Sequence, residues 1–306
     1  MKIIVTGASG MIGIAIIEEA LSHGFIVAAV VRNDSPHIIR LKALTCNNNL
    51  KIVECAINNY QSLNFSDNYD AFIHLAWKNT DSSSRDDVFT HTENIKYTLD
   101  AVNAAHRAKC NVFISTGSQA EYGCVTEKLS GNTVCNPESG YGIAKYAAGK
   151  MAQLYTSQLG IRYCHTRILS TYGEGMSEGA LIIYLVKTLL AGKKPLLTKC
   201  EQIWDFMYVE DTARAILAIA KKGVDGKVYP LGSGDARPLT EYVEIIRDSI
   251  DKSIELKFGE KDYYLHQPMY LCADIKELTH DTGFIPSISF SDGIKKTINW
   301  VKSQGD

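Results

Sequence analysis

The chain has 306 residues, 45% hydrophobic and 22% charged, enough for one large α/β domain or a larger and a smaller one. A formal net charge of −2 provides no global field that would draw it to nucleic acid or to an anionic membrane. The eight cysteines (Cys46, Cys55, Cys110, Cys124, Cys135, Cys164, Cys200 and Cys272) include no C-x-x-C pair and no zinc spacing, so no metal is expected and the thiols read as reduced and mostly buried.

In chain order, Lys2 to Val5 is a short β-branched run that predicts a strand buried on both faces, as parallel strands are. It runs straight into a glycine turn and lacks a signal peptide's long apolar region. Met11 to His23 predicts an almost wholly apolar helix, ended by Gly24, and Phe25 to Val31 a second strand, too short to span a bilayer. A cytoplasmic protein is therefore expected. The alternation continues with strands at Lys51–Val53, Ala71–Leu75, Asn111–Ser115 and Ile161–Ile168 and helices at Arg85–Lys109 and Tyr141–Gln158. Strands separated by helices predict an α/β fold with a doubly wound parallel sheet of Rossmann type. Beyond Leu169 the pattern becomes loop-rich, and Pro195, Pro230, Pro238, Pro268 and Pro286 all lie there. Residues 1–168 are thus expected to form a dinucleotide-binding domain. Residues 169–306 are expected to form a smaller, mainly substrate-binding region interleaved with it.

The first turn reads Thr6-Gly7-Ala8-Ser9-Gly10-Met11-Ile12-Gly13. Gly7 permits the tight turn, Gly10 lets the backbone approach a pyrophosphate, and Gly13 lets the helix pack closely on the strand. The helix start offers free N–H groups and a positive dipole end to phosphates. The second strand ends Val30-Val31-Arg32-Asn33-Asp34. A guanidinium at that tip suits the 2′-phosphate of NADP, whereas a carboxylate suits the 2′-hydroxyl of NAD. Arg32 favours NADP(H) over NAD(H), with Asp34 as the counter-evidence.

Tyr141 and Lys145 stand four residues apart, on one face if helical. An ammonium near a phenol of pKa about 10 brings it toward the range of acid–base catalysis. Ser115-Thr116-Gly117-Ser118 and His74-Leu75-Ala76-Trp77 close two strands and would face the same crevice. Cys124 and His165 suggest an extra acid–base pair, but a loop thiol and an ordinary histidine is the plainer reading.

These motifs, together with Ser118-Gln119-Ala120-Glu121-Tyr122-Gly123, Trp204-Asp205-Phe206-Met207-Tyr208-Val209-Glu210-Asp211, Leu231-Gly232-Ser233-Gly234 and Gly283-Phe284-Ile285-Pro286, resemble the extended short-chain dehydrogenases/reductases, the NAD(P)-dependent epimerase/dehydratase group, over nearly the whole chain. The resemblance implies that Ser118, Tyr141 and Lys145 are catalytic. It places Gly7, Ser9, Gly10, Met11, Ile12, Arg32, Leu75, Ala76, Thr116, Tyr141, Lys145 and Ile168 along the cofactor. Trp77, Ser118, Gln119, Ser170, Thr171 and Trp204 would meet a nucleotide-sugar substrate, and Asn94 would support the site. Dehydratases of the family carry an Asp-Glu pair where this chain has Gln119-Ala120, which disfavours water elimination. What remains is NADPH-dependent reduction of a 4-keto deoxysugar, with a 4-epimerase that retains its cofactor as the alternative. A non-catalytic dinucleotide-binding regulator is the reading from another class. Ser170 and Trp204 stand where the family has an asparagine and an arginine, and Ala56 where it has a third-strand acid, so a different substrate stays open. A homodimer through the two long helices is also implied.

Overall fold

The computed structural model describes residues 1–35, 37–263 and 267–304. Six strands alternate with helices through the first half: β1 (Lys2–Thr6), β2 (Ile26–Val31), β3 (Leu50–Glu54), β4 (Ala71–His74), β5 (Val112–Ser118) and β6 (Arg162–Ile168). A seventh strand, Val228–Leu231, comes from far along the chain and pairs with β6. The order across the sheet is β3-β2-β1-β4-β5-β6 and then the seventh strand, with every pairing parallel. The order reverses between β1 and β4, which opens a crevice at the carboxyl ends of those strands.

Alternation along each strand loads both faces of the sheet. Ile3, Val5, Val27 and Ala29 pack on one side with the inner residues of α1 (Met11–Ser22). Ile4, Ala28, Phe72 and Phe113 pack on the other with Ala101, Val102 and Ala105. Those last three belong to α3 (Val88–Arg107), which follows the short α2 (Ile38–Lys42). The helix α4 (Gly140–Gln158) lies beside α3. On the first face α1 packs against α6 (Val209–Lys222), the second helix after α4, with α5 (Leu181–Leu190) between them in the chain.

Two boundaries differ by three residues from the sequence expectation. The long helix begins at Val88 rather than Arg85, because the Asp87 carboxylate accepts from Thr90 N–H and caps it there. The strand expected to stop at Ser115 continues to Ser118, since Gly117 and Ser118 pair with Arg167 and Ile168 of β6. That extension carries Ser118 out to the crevice. All eight cysteines are free, and Cys110, Cys164, Cys200 and Cys272 are buried. Among the described residues, no helix is long and apolar enough to cross a membrane, and no cluster of His, Cys, Asp or Glu is arranged to hold a metal ion.

Candidate active site

The crevice floor is built by one hydroxyl. Thr6, last residue of β1, accepts from the backbone N–H of Leu75 (3.2 Å) and of Ala76 (3.3 Å), and its own proton goes to His74 Nδ1 at 2.9 Å. The other imidazole nitrogen then donates to Thr98 Oγ1, 3.4 Å away. Thr116 Oγ1 donates to the carbonyl of His74 at 2.7 Å, which ties β5 to β4. Burial, and after it the Lys145 ammonium, pull the His74 imidazole down to about 3, so it stays neutral and serves as a spacer.

Against this floor lies the glycine turn. Gly7 has φ +65°, and a Cβ there would stand 2.9 Å from Ala76 N. A Cβ on Gly13 would meet Gly7 O at 2.5 Å and Ala8 Cα at 2.8 Å. Gly10 precedes α1 without any side-chain cap, and the first helical bond is Ile14 N–H to Gly10 O. The N–H groups of Met11, Ile12 and Gly13 are therefore free of helical partners. They open on a cavity of about 310 Å³. Gly7, Gly10, Met11, Ile12, Leu75, Trp77, Thr116, Ser118, Tyr141, Lys145 and Ile168 all line it, so eleven predicted site residues meet in one place. The shape and donors suit a dinucleotide diphosphate.

Tyr141 and Lys145 stand one turn apart near the start of α4, which Ser139 caps by accepting from Gly142 N–H at 3.1 Å. Lys145 is buried. Its Nζ donates to the Thr116 carbonyl at 2.9 Å and sits 3.9 Å from the centre of the Trp77 ring. Burial pulls this ammonium down to about 7, opposed by the charge of Glu121. The Trp77 indole donates to His91 Nδ1 (3.3 Å), and His91 Nε2 donates to the Ser84 carbonyl (2.9 Å). Asn94 bonds both the N–H and the carbonyl of Lys78, fixing the loop that carries Trp77.

In this state Lys145 is directed to partners other than the phenol it is expected to depress. Burial raises the Tyr141 pKa, and the Ser118 hydrogen bond and the Arg85 guanidinium only partly offset it. The ammonium is engaged by the Thr116 carbonyl and the Trp77 face and lies 5.8 Å from the centre of the Tyr141 ring. Tyr141 is accordingly a phenol rather than a phenolate in this state.

Other predicted residues lie elsewhere. Arg32 lines a second cavity of about 480 Å³ with Asn33, Asp34, Glu54, Cys55 and Ala56. Its Nε is 3.4 Å from Asp34 Oδ1, but both side chains are largely exposed, so the pair is weak. Ser9 bonds the Ser35 hydroxyl at 2.7 Å. Ala76 contributes backbone alone, bonded to Thr6 and packed under Gly7. Ser170, Thr171 and Trp204 line a third cavity of about 900 Å³, mostly apolar, which shares Leu169 with the first. There Trp204 Nε1 donates to Ser170 Oγ at 2.7 Å, so the two departures from the family pattern satisfy each other. Gln119 lies in a 3-10 turn (Gln119–Glu121) and lines none of these cavities. Cys124 and His165 form no pair: His165 is buried and bonded to Glu121 and Tyr163, whereas Cys124 is exposed. Many wall residues were missed by sequence reasoning, Thr80 and Gln202 among them. Thr80 closes the first cavity, and Gln202 lines the third with its Oε1 buried and unpartnered. Neither sits in a motif that marks it.

The model of the NAD dependent epimerase/dehydratase family matches residues 3–232. A putative UDP-glucose 4-epimerase of Methanocaldococcus jannaschii is 27% identical over 98% of this chain and 98% of its own length. A dTDP-glucose 4,6-dehydratase of Escherichia coli is 25% identical over 98% of this chain and 93% of its own. Among solved structures, the UDP-glucuronic acid 4-epimerase of Bacillus cereus, in complex with UDP-glucuronic acid and NAD, superposes with a TM-score of 0.88 at 24% identity, covering 99% of this chain and 100% of that one.

The glycines generate a paired prediction. Gly13→Ala overpacks the turn and should cost about 1–3 kcal/mol of stability, read as a lower thermal midpoint. Gly10→Ala meets nothing closer than Gly7 O at 3.3 Å. It should leave the midpoint within a few degrees while weakening dinucleotide binding, measured by calorimetric titration.

Proposed function

The chain belongs to the NAD-dependent epimerase/dehydratase family, and from that premise we propose that it reduces a 4-keto group on a nucleotide-activated deoxysugar, with NADP(H) favoured over NAD(H). The observation that carries this is that Ser118, Tyr141 and Lys145 line one crevice with the open N-terminus of α1, where burial raises the Tyr141 phenol and so suits it to donate a proton. The amides of Met11 and Ile12 would hold the pyrophosphate, Thr116 and Lys145 the nicotinamide ribose, and Arg32 the 2′-phosphate. When bound, the nicotinamide supplies the hydride.

The remaining chemistry belongs to the chain's own side chains. Ser118 donates a hydrogen bond to the ketone oxygen and polarises it. Tyr141 passes its proton to that oxygen as alkoxide charge develops. Lys145, lining the same crevice, offsets the charge left on the phenol. The third cavity, past Leu169, receives the carrier of the sugar. Gln119-Ala120 beside Ser118 offers no acid–base pair for water elimination.

Two observations favour second readings. Glu54 shares the Arg32 cavity, and a carboxylate there suits a 2′-hydroxyl, as in a 4-epimerase that keeps NAD. The Trp204–Ser170 bond occupies two polar groups that a nucleotide diphosphate would use, and Lys261 is the one cation among the described lining residues. A sugar on a less charged carrier would suit that wall. We also propose a homodimer formed through α3 and α4. Ile143, Met151 and Leu154 make an exposed apolar stripe on α4 at helical spacing, next to a groove formed with Leu99 and Tyr155, and a second copy of the same face would cover it.

Three outcomes are expected. Tyr141→Phe should lower kcat for NADPH-dependent reduction of 4-keto sugars by about 100-fold or more; turnover at the wild-type rate overturns the mechanism, and sugar interconversion without net NADPH loss identifies the epimerase. Arg32→Glu should raise the KM for NADPH by about tenfold with little change for NADH, checked by initial rates with each. Leu154→Glu should convert a dimer to a monomer in sedimentation velocity, and an unchanged mass removes that interface.

A further inference from the structure

Behind the crevice lies a carboxylate that none of the roles above uses. Glu121, at the end of the turn that follows β5, is fully buried. Its Oε1 accepts from the Ser118 N–H at 3.0 Å, while the Ser118 hydroxyl accepts from Ala120 N–H, so the two residues cap the turn between them. Both carboxylate oxygens lie 3.1 Å from His165 Nε2, and Oε2 accepts from Arg167 Nε at 2.8 Å. Arg167 and His165 are neighbours on one face of β6 and hold the carboxylate from below. The fit is tight: a Cβ on Gly117 would run into Glu121 Oε1 and His165 Nε2.

A buried carboxylate costs several kcal/mol unless it is paired and hydrogen-bonded. Capping a three-residue turn needs an acceptor, and a glutamine or a solvated side chain would serve. Arg167 and His165 offset that cost and keep the carboxylate charged behind the crevice. We propose that Glu121 is a positioning residue: it fixes Ser118 by its backbone N–H and keeps a negative charge against Gly117, directly behind the Thr116 carbonyl that holds Lys145. The inference rests on the reading that the Tyr141 and Lys145 pair carries the proton.

The groups facing the pair from each neighbouring element are few. His74 on β4 is neutral, His91 on α3 packs against Tyr141 at 5.6 Å between ring centres, and the Arg85 guanidinium lies 5.7 Å from the Tyr141 ring centre. Trp77 and the Thr116 carbonyl complete the shell of Lys145. Glu121 is the acid that bears on both groups, raising Lys145 against the burial that lowers it and adding to the rise of Tyr141. For Glu121 itself, burial alone would raise the carboxyl; His165 and then Arg167 outweigh it and hold it at about 2, so the charge is permanent across the working pH range. Removing that charge should let both pKa values fall. A reductase needs both groups protonated, so the alkaline limb of its pH profile should move to lower pH.

Glu121→Gln keeps the shape and the acceptor for Ser118 N–H and drops the charge. In the ligand-free protein, the ¹³Cε resonance of Lys145, assigned by its loss in Lys145→Arg, should titrate about one pH unit lower than in the wild type. The alkaline limb of kcat/KM should move the same way, with Glu121→Asp restoring part of the shift. Arg167→Met leaves the carboxylate charged and less neutralised, so it should move the Lys145 titration upward. That opposite sign is what a merely structural role would not produce. Should Glu121→Gln fail to fold with Arg167 left uncompensated, Arg167→Met and the double variant Glu121→Gln/Arg167→Met still report the sign. Unchanged Lys145 titrations in the folded variants overturn the proposal. The titration needs no turnover, so it stands or falls apart from the Tyr141→Phe assay.

Discussion

The Thr6 hydroxyl is the contact on which the crevice depends. It gathers the N–H groups of Leu75 and Ala76 and the ring of His74 at the point where the strand order reverses. Where parallel strands buried on both faces end, the backbone groups that leave the ladder must be satisfied locally. Thr6 does this for two strands at once. It thereby sets how near Ala76 comes to Gly7, and the left-handed glycine with no room for a Cβ follows from that distance. The open N-terminus of α1 then faces the cavity because Gly7 and Gly13 allow the turn to fold back upon itself.

The chemistry of the pocket is governed by burial. Removing water raises the phenol of Tyr141 and lowers the ammonium of Lys145, each toward its neutral form. Fixed partners then act on this dry baseline: Ser118 and Arg85 on the phenol, Glu121 on both groups, Trp77 and the Thr116 carbonyl on the ammonium. Such partners act strongly because little solvent screens them. The third cavity differs in kind, being large, mostly apolar and poor in positive charge among its described residues. The two cavities meet at Leu169, one residue after β6, so the strand that holds Glu121 in place also runs up to the boundary between them.

Most of the sheet was legible because buried parallel strands leave unbroken β-branched runs such as Ile3-Ile4-Val5 and Val27 to Val31, and the helices between them carry a different period. Strand and helix ends were not, for a physical reason. The end of β5 is decided by pairing with Arg167 and Ile168, and the start of α3 by the Asp87 cap. The glycine turn, Ser118, Tyr141 and Lys145 could be assembled into one candidate site because each lies in a local motif. Glu121 sat inside such a motif without standing out, since its partners His165 and Arg167 lie 44 and 46 residues away. The same distance allowed His165 to be considered with Cys124.

The sequence by itself determined the α/β class, the order of elements, the dinucleotide turn and the types of residue available for proton transfer. These are consequences of short-range periodicity and of what glycine, tyrosine and lysine can do at a given spacing. The tertiary structure alone decided that burial raises the phenol and that Lys145 turns to a carbonyl and an indole. It also decided that Trp204 bonds Ser170 and that a permanent charge lies beneath Ser118. Each of these depends on how far water is excluded and on which distant side chain fills the space, and both are set by packing between residues far apart in the chain.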